Sequence, residues 1–180
     1  SNICIIRNDQ IGDVALTCPM IQAIKDTWPS STISVIASKL TYPLINRLNA
    51  VDQVIIDYRQ QYRIPYILLL LKVIKELKKN KFEYIFFPRL DPLYVKAAFL
   101  AKIPFRVGDA NNLLLSPLLT KKVPISWHDY TKHEVDQQLR LLEPFQRNIQ
   151  LEDIQFEFDF KNDDEIVQSC RELVGPAFDN

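Results

Sequence analysis

Glycine is scarce in this chain: three in 180 residues, at Gly12, Gly108 and Gly175. That excludes the dinucleotide fingerprint GxGxxG and the Walker A loop GxxxxGK, which hold phosphates on glycine-rich backbone. Cysteine is equally rare. Cys4, Cys18 and Cys170 are odd in number, scattered and set in apolar patterns. They read as buried thiols of a reducing compartment, not as a disulfide framework. With only His128 and His133 besides, no zinc-ligand spacing exists. Net charge is absent too, with 22 basic and 22 acidic residues, which argues against a general nucleic-acid binder. The longest apolar run, Ile64 to Leu71, is too short to span a bilayer. The first residues enter a strand without a signal-peptide pattern. A cytoplasmic chain of one domain, or one domain plus a connector, is expected, and its 47% apolar residues suffice for a sizeable core.

What is present alternates. ICII (3–6), TISVIA (32–37), QVIID (53–57), EYIFF (83–87) and FRVG (105–108) read as buried strands. Between them lie helical patterns at 13–28, bent or restarted at Pro19, and at 41–48, 66–79 and 92–102. The 66–79 helix is expected to bury Ile67, Leu70, Leu71, Ile74 and Leu77 on one face, with Lys75, Lys78 and Lys79 near its C-terminus. Short apolar strands alternating with helices predict an α/β fold, a parallel sheet with helices on both faces. Ligands of such sheets bind at the carboxyl ends of the strands. Arg7 to Asp13, the loop after Asp57, and Pro88 to Asp91 therefore share one rim. Further on, Thr131 with Glu134 reads as a capping box opening a helix that buries Val135, Leu139 and Leu142. IQFEFDF (154–160) alternates as a half-buried strand, and Asn162 with Glu165 forms a second capping box before a last helix. A boundary is placed at 148, separating a doubly wound domain over 1–148 from a strand and helix over 149–180, which on the resemblance given below are a Rossmann-like domain and a connector.

Charge, balanced overall, is uneven along the chain. From Asp57 to Arg106 there are 11 basic and 4 acidic residues; from Leu151 to Asn180 the count is 2 against 9. The positive middle suits an anionic ligand or is a solvated helix surface.

The stretch RNDQIGDVALTCP (7–19) places Gly12 and Asp13 where the first strand hands over to a helix. Glycine there admits close approach to the backbone, and the helix N-terminus offers free N–H groups. Asp13 reads either as a helix cap, worth about 1 kcal/mol, or as a functional carboxylate. The residues alone do not name the ligand.

The ordered set IIRNDQIGDVALTCPMIQAIKDTWP, STISVIAS, VDQVIID, FEYIFFPR, IPFRVG and HEVDQQLRLLEPF closely resembles the N-terminal half of the ADP-heptose:lipopolysaccharide heptosyltransferases, glycosyltransferase family nine. The most specific pieces are R-x-D-x-I-G-D-x-x-L-T-x-P and H-E-V-x-x-x-L-x-L-L, and the resemblance runs from Ile3 to Phe145. It implies a GT-B architecture of two Rossmann-like domains, of which this is the acceptor-binding N-terminal one. It implies inverting transfer without a metal or other cofactor, the donor ADP-heptose binding a C-terminal domain that this chain lacks. On that likeness Asp13 is the general base toward the acceptor hydroxyl, and Gly12 lets the acceptor sugar approach. Ionised aspartate can take such a proton when held within hydrogen-bond reach; cap and base are not exclusive roles. Arg59, Arg63 and Arg89 become candidate contacts to an acceptor bearing carboxylates and phosphates, as planar guanidinium groups suit. Lys121 and Lys122 are weaker candidates. Asn8 and Asp9 are assigned support of the turn, and His133 a structural role.

The expected partners are a lipopolysaccharide-core acceptor and, through the further domain, an ADP-sugar; no nucleic acid is expected. The lysine-ended 66–79 helix raises a peripheral contact with the cytoplasmic face of the inner membrane, against the plainer reading of a helix buried over the sheet. Taken alone, the 180 residues are expected to be an inactive, truncated acceptor half. The rivals are a transferase of the same family for another sugar or acceptor, and a non-catalytic sugar-binding module.

Overall fold

Strands rich in Ile and Val that are covered on both faces need helices on both sides of their sheet. The computed structural model, which describes residues 1–125, 133–145, 147, 149–155 and 157–158, shows that arrangement. Six strands, β1 (Asn2–Ile6), β2 (Thr32–Ala37), β3 (Gln53–Ile56), β4 (Tyr84–Phe86), β5 (Phe105–Asp109) and β6 (Lys121–Val123), pair in the order β3-β2-β1-β4-β5-β6. Every pairing is parallel. Because side chains alternate along a strand, Ile3 and Ile5 enter one apolar layer while Cys4 and Ile6 enter the other.

Helices α1 (Ile11–Thr27) and α6 (Glu134–Leu139) pack together over the first layer through Val14, Cys18, Ile21, Val135 and Leu139. Short α2 (Tyr42–Ile45) joins that layer through Ile45, and α3 (Tyr58–Gln61) meets the second through Tyr58. The second layer is covered by α4 (Tyr66–Lys79) against α5 (Pro92–Leu100). Met20 is fully buried, and Trp28 closes the first layer against Tyr84, Phe86 and Phe145. The fold is Rossmann-like, as the strand pattern predicted.

The chain runs from β1 outward through β2 to β3, then returns to place β4 on the other side of β1. Strand order therefore reverses between β1 and β4. The crevice outside the carboxyl ends of two such strands is where open α/β sheets bind ligands.

Four local expectations need correction. Helix α1 starts at Ile11 behind an extended Gln10 with no side-chain cap, so Asp13 is the third helical residue and not the cap. Helix α1 continues through Pro19 and does not restart there. Helix α4 buries Leu69, Leu70, Val73 and Leu77, whereas Ile67 and Leu71 are exposed. Apolar residues at every position from Tyr66 to Leu71 leave the buried stripe undefined by periodicity, and packing on α5 selects it. Helix α6 begins at Glu134 with His133 as its cap, Nδ1 accepting from the Val135 N–H at 3.3 Å; Thr131 lies outside the described residues.

Val135, Leu139 and Leu142 are buried as expected. Strand β6 and helix α3 were not anticipated. From the alternating 154–160 segment, Phe158 makes an antiparallel bridge to Leu48. The remainder of that segment is only partly described, and the second capping box and Cys170 lie outside the described residues. No described helix is long and apolar enough to cross a membrane.

Candidate functional site at the strand-order reversal

Two clusters of ionic side chains are assembled where β1, β3 and β4 end. The first surrounds Arg7, the residue after β1, whose side chain is only 2% exposed. Its guanidinium lies 3.1 Å from Asp9, 3.4 Å from Glu134 and 3.7 Å from the Asp13 carboxylate, and its Nε donates to the Asp13 carbonyl at 3.2 Å. Thr17 donates to that same carbonyl at 2.9 Å. A buried cation thus holds the first turn of α1 from both its backbone and its side chain. Asp13 keeps 34% of its side chain in solvent.

Asp9 has both carboxylate oxygens buried without a hydrogen-bond donor, although Arg7 is at ion-pair distance. Burial pushes its pKa up, and the Arg7 charge offsets only part of that. The crevice is a cavity of about 260 Å³ lined by Arg7, Asn8, Asp9, Arg89, Leu90 and Asp91 among others. Gly12 and Asp13 flank it from the start of α1 without lining it. A larger recess of about 360 Å³, between the end of α1 and Ile149 to Ile154, is remote from the strand carboxyl ends; Asp26, Arg147 and Asp153 are among its lining residues.

The second cluster is a closed clamp. Asn8 donates to Asp57 at 2.6 Å and to Asp91 at 3.2 Å. Arg59 donates to both oxygens of Asp91, at 2.8 and 2.5 Å, and to Asp57 at 3.3 Å. The Tyr94 hydroxyl donates to Asp57 at 2.8 Å and accepts from the Tyr58 N–H. Asp57 and Asp91 also cap α3 and α5. Burial works to raise the Asp91 pKa, but the Arg59 hydrogen bonds and charge outweigh it and hold the carboxyl below its usual range. A depressed carboxylate contributes stability that is present above its unfolded pKa, about 4, and is lost as pH falls through its folded value. Asp91→Asn is therefore expected to lower stability at neutral pH and to flatten the acid limb of a stability–pH curve below about pH 4. Chemical denaturation across pH measures both.

The three arginines singled out by sequence differ in their availability. Arg59 has its donors directed at Asp57 and Asp91. Arg89 is 73% exposed over the cavity, 3.9 Å from Asp9. Arg63 is exposed and makes no side-chain hydrogen bond or ion pair with the other described residues. Lys121 and Lys122 belong to the edge strand β6. Sequence reasoning passed over Asp57, Asp91 and Tyr94, although an acidic residue between a strand and a helix, followed by proline in Asp91–Pro92, was a readable cap signal.

Gly12 has a telling environment. A Cβ built there meets nothing within 4 Å, and its backbone has no positive φ. The fold does not need glycine at this helical position, so the open space above it is available to a ligand. By contrast, a Cβ at Gly108 would come within 2.7 Å of Leu90. Gly12→Ala is expected to stabilise the chain by about 0.5–1 kcal/mol, since alanine favours the helix. Thermal denaturation checks the sign.

The Rossmann-like class is matched by solved glycosyltransferase structures. The chain is similar to the glycosyl transferase family 9 protein from Veillonella parvula DSM 2008, with 21% identity, a TM-score of 0.65, and coverage of 79% of this chain and 40% of that one. It is similar to E. coli heptosyltransferase WaaC with ADP-2-deoxy-2-fluoro heptose, at 17% identity and TM-score 0.57, covering 80% of this chain and 48% of that one. It is also similar to E. coli ADP-heptose lps heptosyltransferase II, at 16% identity and TM-score 0.61, covering 78% and 40%. The chain spans less than half the length of these proteins. No family model matches it, and no curated protein matches it in sequence.

Proposed function

We propose that this chain is the acceptor-binding half of an inverting glycosyltransferase of family nine, transferring heptose from ADP-heptose to the lipopolysaccharide inner core. The observation that carries the reading is the first turn of α1 at Gly12 and Asp13. Its carboxylate is accessible, is not used as a helix cap, and is fixed by a buried arginine beneath an open rim. The fold shared with the two E. coli heptosyltransferases supports the same reading.

In the proposed reaction Asp13 accepts the proton of an acceptor hydroxyl, whose oxygen attacks the anomeric carbon of the donor from the face opposite ADP. The new C–O bond forms as the bond to ADP breaks, and the electron pair leaves with the diphosphate. Inversion follows from that single displacement. Arg89, exposed over the crevice, would receive anionic groups of the acceptor, and buried Asp9 holds Arg7 beneath it. Arg63 extends the positive rim, and Arg59 holds its loops in place. The groups that bind the ADP-sugar and neutralise its leaving group are assigned outside these 180 residues, which on their own would not turn over.

The test joins this chain to a donor-binding half of the same family and assays labelled ADP-heptose with an inner-core acceptor. Heptosyl transfer by the joined protein, and none by the 180 residues alone, is expected. Transfer by the chain alone would overturn the half-enzyme reading. Turnover with a different nucleotide sugar would replace heptose while leaving the mechanism standing.

A further inference from the structure

The amide of Asn8 has one half in use and one half free. Asn8 stands two residues beyond β1 and is half-buried. Its Nδ2 donates to two carboxylates, Asp57 from the end of β3 at 2.6 Å and Asp91 from the loop after β4 at 3.2 Å. A primary amide offers two N–H donors and one carbonyl acceptor. Both donors are therefore spent inside the clamp, and only the carbonyl Oδ1 remains to recognise anything else.

Chemistry fixes which way the amide faces. An ionised carboxylate only accepts, so the NH2 group and not the carbonyl must meet Asp57 and Asp91. Asp91 is kept ionised by its paired bonds from Arg59. Oδ1 consequently points away from the clamp. It makes no hydrogen bond with the other described residues, and, unlike the Asp9 oxygens, it is not a buried orphan. Because Asn8 lines the 260 Å³ crevice, that oxygen is open to the crevice. The other polar side chains there cannot replace it. Asp9 is buried against Arg7, Asp91 is occupied by Arg59 and by the first N–H groups of α5, and Arg89 only donates. An amide oxygen can receive a hydroxyl or an ammonium group. The Arg89 cation, 73% exposed over the same crevice, opposes an ammonium and leaves the hydroxyl.

We propose that Asn8 is a specificity-determining residue, its Oδ1 accepting a hydrogen bond from one hydroxyl of the sugar acceptor. The inference rests on the acceptor-binding reading and adds the group by which an acceptor is told from an analogue lacking that hydroxyl. Asp57 and Asp91 also cap α3 and α5, so the amide is aimed before any ligand arrives. Binding then spends nothing on orienting it.

Calorimetric titration of the unsubstituted chain and of Asn8→Ala tests it, with a deacylated inner-core acceptor and analogues each lacking one hydroxyl. Alanine removes Oδ1, while Asp57 keeps three donors and Asp91 keeps four, so the clamp persists. Asn8→Ser, which keeps one donor for the clamp and lacks Oδ1, repeats the measurement independently. For one analogue, the missing hydroxyl is expected to weaken binding to the unsubstituted chain about tenfold and to either variant less than about twofold. A merely structural role would weaken every ligand alike and leave no such coupling. Equal losses in chain and variants for every analogue overturn this inference and leave the acceptor-binding reading standing. No binding of the intact acceptor to the unsubstituted chain overturns both.

Discussion

Replacing Asp13 by Asn in a protein that carries both halves is expected to lower kcat by about 10²–10⁴-fold while acceptor affinity stays within a few fold. Asparagine keeps the shape and the acceptor oxygen of the side chain but cannot take up the proton. The structure sharpens this prediction because it removes the bland alternative. Asp13 is not the cap of α1, so its loss as a carboxylate costs the fold only its favourable place in the first helical turn and a 3.7 Å contact to Arg7. Those effects are worth roughly 1 kcal/mol. A large fall in kcat with a small change in melting temperature therefore assigns chemistry to Asp13. A parallel fall in both, or unchanged turnover, assigns it to structure. Steady-state kinetics and thermal denaturation of the same variant separate the outcomes.

The largest stability effect is expected at Arg7→Met. Methionine fills similar volume but leaves Asp9, Asp13 and Glu134 without the cation between them, and Arg7 is buried. Breaking such a site by removing one partner is strongly destabilising because the remaining charges stay desolvated. Asp13 and Glu134 are each about one-third exposed, which lowers the cost to about 3 kcal/mol, or roughly 6–12 °C in melting temperature for a chain of this size. The loss should depend on pH. Without Arg7 the Asp9 carboxyl, already raised by burial, rises further and the folded state takes up a proton more readily than the unfolded chain. A raised carboxylate pKa means that the deficit is full at neutral pH and shrinks as pH falls toward about 4. Denaturation at pH 7 and near pH 4 reads the difference. A deficit that is constant or grows on acidification would contradict this account of the cluster.

How much of this was legible in the sequence depended on how far apart the interacting residues lie. The first four anticipated strands, rich in β-branched or aromatic residues, were readable because burial on both faces leaves short, largely apolar runs, and FRVG was readable by its place after a helix. Strand β6 was not, since Lys-Lys-Val at a sheet edge has neither the length nor the apolarity of a strand, and lysine is how edges are protected. The face of α4 was misjudged where four consecutive leucines, Leu68 to Leu71, carry no period. The Gly12–Asp13 turn stood out locally, as a glycine at a strand-to-helix junction. Its support did not, because Glu134 reaches Arg7 across 127 positions of sequence. Arg59 shows the same limit from the other side. A guanidinium in a rim loop reads as a ligand contact, and only the fold reveals Asp57 and Asp91 beside it.

The central claim is that the Gly12–Asp13 rim receives a sugar acceptor and that the ADP-sugar is bound elsewhere. Calorimetric titration of the 180-residue chain with a deacylated inner-core acceptor and, separately, with ADP-heptose addresses it directly. Acceptor binding that Gly12→Ala weakens, with no heat from ADP-heptose, is the predicted result. Binding of ADP-heptose, or of neither ligand, would contradict the account.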